Sequence, residues 1–156
     1  MKSASISEIK KEISNLPPIQ IAELCMRFAK YKKENKELLS YLLFDSHDEQ
    51  EYVKNVKTDI DSQFEELNLF NLYFAKKGLR KILKSINKQI KFSALKKTEV
   101  ELLIYFCFKL KGSSIDIYSS TALINLYQQQ LKKISKTIGS LHEDLRYDYQ
   151  LELDNL

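Results

Sequence analysis

Apolar residues recur along this chain at steps of three and four, the spacing that lines one face of an α-helix. The clearest run is Val53, Val56, Ile60, Phe64 and Leu67. A second, Leu72, Ala75, Leu79, Ile82, Ile86 and Ile90, predicts a helix over about residues 71–92. A third, Leu123, Leu126, Tyr127, Leu131, Ile134 and Ile138, predicts one starting near Ser120. Between them lies a segment that is apolar nearly all round, with Val100, Leu102, Leu103, Ile104, Tyr105, Phe106 and Phe108. A helix without a polar face belongs at the centre of a fold.

Start and stop signals divide the remainder. "SISE" reads as a capping box, Ser5 accepting from the first turn and Glu8 reaching back, so a first helix runs to about Asn15. Pro17 and Pro18 lack backbone donors and suit the opening turn of a second, which carries Ile21, Leu24, Cys25, Phe28 and Ala29 on one side. A third, from about Glu34 to Phe44, presents Leu38, Leu39, Tyr41, Leu42 and Leu43. "SHDE" at 46–49 predicts a cap at Ser46, and "TEVE" another at Thr98, with Gly112 as a left-handed stop. Gly139 is a place to kink or to cross closely, and the acidic end after it continues or restarts the last helix. Tyr147 and Tyr149 are expected to help close the core.

The expected architecture is all-α: one domain over 1–156, a compact bundle of about seven helices, with a short HEAT-like stack of helix pairs as the alternative. Composition agrees. Three Gly and two Pro in 156 residues leave too few turn-formers for a hairpin-rich sheet protein. Cys25 and Cys107 sit in apolar runs and fit neither a disulfide framework nor a CxxC metal knuckle. The longest apolar run, "LLIYFCF", is far too short to cross a bilayer, and the first residues lack the apolar core of a signal peptide. These features predict a soluble, reduced, cytoplasmic protein.

Charge changes the picture more than composition does. The formal net charge is +4. Residues 1–68 carry 10 basic and 13 acidic groups, residues 69–136 carry 14 and 3, and residues 137–156 carry 1 and 5. A basic block therefore sits between two acidic flanks. Within it, "AKKGLRKILKSINKQIKF" (75–92) holds seven Lys or Arg and no acid. A helix turns about 100° per residue, so with Lys77 at zero, Lys81, Lys84, Lys88 and Lys91 fall at about 40°, 340°, 20° and 320°. The apolar set of the same helix falls between about 140° and 240°. The cations point away from the core. Acids of the preceding helix (Glu51, Asp59, Glu65, Glu66) also point away from theirs, so only Lys76 and Arg80, at its edge, are expected to meet them.

No GxSxG elbow, P-loop, GxGxxG or HExxH is present. His47 and His142 each lie in an acidic triplet, but Phe44 and Gly139 stand where a di-iron bundle has Glu three residues before His. His47 suits a helix start and His142 a polar helix face. Cys107 has no neighbouring cation to activate it. No cofactor, metal ligand or catalytic residue is expected. The chain reads as a non-enzymatic interaction protein whose Lys77, Arg80, Lys81, Lys84, Lys88 and Lys91 meet an acidic protein partner. Backbone-level binding of DNA or RNA through the same lysines is the alternative. A metal-dependent enzyme using His47, His142 and nearby acids is a weaker one.

Overall fold

The computed structural model describes residues 3–156. Among the described residues the protein is all-α, with eight α-helices, one π-helical turn and one 3-10 turn. It falls into two compact units, the residues up to Phe44 and Asp45–Leu156.

In the first unit, α1 spans Ile6–Ser14, α2 Pro18–Tyr31 and α3 Lys33–Ser40. The Ser5 capping box forms as expected: Ser5 Oγ accepts from the Glu8 amide, and the Glu8 carboxylate accepts from the Ser5 amide at 2.7 Å. Pro18 occupies the first turn of α2. The apolar side expected of α2 does not become a core. Leu24, Cys25 and Phe28 are exposed, and no residue of α1, α2 or α3 is fully buried. Three short helices have too little volume to enclose an interior of their own. The third helix does not reach Phe44 as an α-helix; from Tyr41 to Asp45 it widens into a π-turn.

The second unit contains α4 (Glu49–Glu65), α5 (Leu72–Ser93), α6 (Lys96–Lys111), the 3-10 turn Ile117–Ser119, α7 (Thr121–Ile138) and α8 (Glu143–Asp154). Helix α6 is the centre. It touches α4, α5, α7 and α8, and Val100, Leu102, Leu103, Phe106, Cys107 and Leu110 are completely buried on it. Phe106 packs against Phe64 of α4 with ring centroids 5.7 Å apart. Phe108 is the exception to the all-round burial expected of this helix. It lines a cleft with Ile104 and Leu156, 63% exposed, because four neighbouring helices leave one side of α6 open. Of the two C-terminal tyrosines, Tyr149 is buried and donates to Glu101 at 2.6 Å, while Tyr147 faces outward.

Several helix ends differ from the pattern-based expectation. Asp48, not Ser46, caps α4, accepting from the Glu51 amide at 3.0 Å. Helix α6 begins at Lys96, so Thr98 is buried in its first turn rather than capping it. The hydroxyls of Ser93 and Thr98 both donate to the Glu49 carboxylate, which joins the start of α4 to the α5–α6 junction. Gly112 closes α6 with φ −81, an ordinary right-handed conformation. Gly139 likewise ends α7 and does not kink it.

The left-handed stop falls elsewhere, on Ala94 after α5, with φ 56. Alanine in that region costs about 1 kcal/mol because its Cβ crowds the following carbonyl, whereas glycine enters it freely. Ala94 is exposed and has no packing to lose. Ala94→Gly is therefore expected to raise the thermal midpoint by a few degrees in a circular-dichroism melt.

Candidate functional site

Helix α5 forms because its two faces separate cleanly. Leu79, Ile82 and Ile86 are essentially inaccessible, while Lys77, Arg80, Lys81, Lys84 and Lys91 are exposed. The opposition of apolar and cationic sides expected from periodicity is thus present in the fold. Asn71 caps the helix by accepting from the Phe74 amide at 3.0 Å. No acid occupies the first turn, so the positive end of the helix dipole is not neutralised there.

Only some basic groups of the second unit are ion-paired, and Lys96, Lys132 and Lys136 outside α5 have no ion pair among the described residues. On the other helices, Lys109 pairs with Asp61 at 2.9 Å, Lys133 with Glu99 at 3.1 Å, and Lys57 and Lys97 with Glu101 at 3.8 Å. On α5, Lys77, Arg80, Lys81, Lys84 and Lys91 form no ion pair or hydrogen bond with side chains among the described residues. Lys88 differs from the rest of the stripe. It is half-buried, with its ammonium 6.0 Å from the Phe92 ring centroid. The acids of α4 named above are all exposed, as expected of two helices that share a core and direct their charges away from it.

The stripe is a ridge between two clefts. On one side lies a cleft of about 400 Å³, where Phe74, Lys77 and Lys81 face Gln63, Glu66 and Leu67 at the end of α4. On the other lies a cleft of about 530 Å³ between α5 and α7, where Arg80 and Lys84 face the amides of Asn125, Gln129 and Gln130. Arg80 therefore borders α7, not the edge of α4. The reason is rotational: Arg80 lies at about 300° and Phe74 at about 60° on the α5 wheel, on opposite flanks of the ridge.

Sequence reasoning missed the rings at the head of this ridge. Phe70 is 89% exposed, Tyr73 65% and Phe74 41%. Asn68 Oδ1 accepts from the Phe70 amide at 2.9 Å, and with the Asn71 cap it fixes the turn that displays them. Tyr73 and Phe74 meet edge to face, centroids 5.5 Å apart. They sit at about 320° and 60° on the α5 wheel, on the side of the lysines and not of the core. That calculation was the signal available in "LFNLYF"; the apolar letters alone suggest burial.

The rest of the molecule offers little reactive chemistry. Burial pushes the Cys107 thiol up to about 12, which leaves it inert near neutrality. Burial and the hydrogen bond to Asp61 push the Tyr105 phenol up to about 12 as well. Asp61 is pulled upward by burial, but hydrogen bonds from Lys109 and Tyr105 and the Lys109 charge outweigh this and hold it low. These groups satisfy one another. His142 is the N-cap of α8 rather than a member of a helix face, and His47 lies exposed in the turn before α4. Among the described residues no group of three or more His, Cys, Asp or Glu is placed to hold a metal ion, and no helix is long and apolar enough to cross a membrane. Comparison with family models, curated proteins and solved structures finds no match.

Proposed function

We propose that the chain is a non-enzymatic interaction protein whose α5 ridge binds an acidic macromolecule. One observation carries this reading: α5 presents Lys77, Arg80, Lys81, Lys84 and Lys91 on one exposed side with no ion pair among the described residues, whereas Lys57, Lys97, Lys109 and Lys133 on the other helices are each paired with an acid. Charge layout by itself ranks an acidic protein partner ahead of a nucleic-acid backbone. The exposed rings beside the lysines favour nucleic acid, because planar bases can use them and carboxylate side chains cannot.

The cations from Lys77 to Lys91 span about 21 Å at 1.5 Å per residue, enough to follow several phosphates. Fluorescence anisotropy with a labelled oligonucleotide at low salt is the test. Five phosphate contacts on a single strand give a log–log salt slope of about −3.5, or about 100-fold weaker binding between 50 and 200 mM salt. The triple variant Lys77→Glu, Lys81→Glu, Lys84→Glu is expected to abolish binding while its helical circular dichroism stays unchanged, since all three side chains are exposed. Lys88 is left intact because it has an internal contact. Absence of binding to both DNA and RNA removes the nucleic-acid reading. A protein partner captured by the wild type and lost by the triple variant would then support the acidic-protein reading instead.

A further inference from the structure

We infer that the ligand of the α5 ridge is a single-stranded nucleic acid, its phosphates running along the lysines and its bases stacking on Phe70 and Tyr73. The inference rests on the polyanion reading above and adds the strand state and the ring contacts.

The rings and the cations form one surface. Tyr73, Phe74, Lys77, Arg80, Lys81 and Lys84 fall between about 300° and about 60° on the α5 wheel, which keeps them on one side of the helix. Phe70 precedes the helix by one residue beyond its cap, held outward by the Asn68 turn. A chain lying on the ridge meets aromatic faces first and ammonium groups afterwards. Base–aromatic stacking is tolerant of sequence, because every base has a π-face. It requires bases free of partners. In a duplex those faces are already stacked inside the helix, and a ring on a convex ridge has no route to them.

The flanking clefts suit the same ligand. The α5–α7 cleft carries the amides of Asn125 and Gln129, both exposed, which donate and accept hydrogen bonds as base edges do. A membrane surface suits the arrangement less well. Interfacial helices separate an apolar face from a basic one, and the apolar face of α5 is committed to the core through Leu79, Ile82 and Ile86.

The test compares four probes by anisotropy in 50 mM salt: labelled single-stranded 20-mers of DNA and of RNA, an abasic deoxyribose-phosphate strand of the same length, and a duplex. The wild type is expected to bind the base-bearing strands about tenfold or more tighter than the abasic strand. Phe70→Ala with Tyr73→Ala, both at exposed positions, should erase that preference and leave the weaker abasic binding intact. Equal affinity for base-bearing and abasic strands overturns the inference while leaving the ridge reading standing, and so does equal affinity for strand and duplex. Binding to none of the four removes both. Vesicles of phosphatidylserine that bind the wild type and not the ring variant, without any preference among the strands, reassign the rings to a lipid interface and overturn the inference.

Discussion

Phe106→Ala is expected to destabilise the second unit by about 3–5 kcal/mol, the largest loss available from a single core side chain. The Phe106 ring is completely buried on α6, the helix that all four neighbours share, and it leans on Phe64 of α4 at 50°. Removing it forfeits the transfer free energy of the ring and leaves a void that helices fixed by other contacts cannot fill. The thermal midpoint should fall by more than about 10 °C. Phe108→Ala, two residues on, is the control. That ring is 63% exposed, and its loss should change stability by less than about 1 kcal/mol. Urea unfolding of the two variants separates a helix buried on every side, which would lose similar amounts at both positions, from one with an open flank.

The contrast between these two phenylalanines marks how far periodicity reaches. It identifies α4, α5 and α7 from Val53–Ile60, Leu79–Ile90 and Leu123–Ile138, and it puts α6 in the middle from its lack of a polar side. It cannot say how many helices surround α6, and so cannot say that Phe108 is left over. The direction of the α5 lysines was legible for the same reason that the helix was: one rotation per 3.6 residues fixes both faces at once. What lies beside those lysines was not. Arg80 borders α7 because of the order of helices in space, which no local pattern encodes. Tyr73 and Phe74 lie on the lysine side by the same rotation, yet aromatic letters at a helix start are easily counted toward a core.

Capping signals show a different limit. "SISE" and "SHDE" are the same local pattern, and only the first becomes a capping box. Ser5 and Glu8 are exposed and hydrogen-bond each other. Glu49 stands where α4 starts against the α5–α6 junction, and its carboxylate accepts from two hydroxyls brought from 44 and 49 residues away. Asp48 is then the nearer acceptor for the free amides of α4. The tertiary contact prevails because a buried hydroxyl without a partner costs more than an exchange of caps at a solvated end.

That node carries the second large expected effect. Glu49→Ala should cost about 2–3 kcal/mol, because it leaves Thr98, 2% exposed, and Ser93, 8% exposed, with donors that have lost their acceptor and little water in reach. The substitution also removes a negative charge from the first turn of α4, which contributes up to about 1 kcal/mol of the loss. Glu49→Gln should recover more than half, since its side-chain oxygen still accepts from Thr98 at the position where the carboxylate now receives it at 2.5 Å. Thr98→Val tests the assignment from the other side. Alone it breaks the bond at the donor; added to Glu49→Ala it should cost little more, because the hydroxyl it deletes is already without its acceptor. Urea midpoints of the two single variants and the double variant decide the point. Additive losses would mean that Glu49 and Thr98 act separately, and a double variant no less stable than Glu49→Ala would mean that one contact holds the start of α4 to the α5–α6 junction.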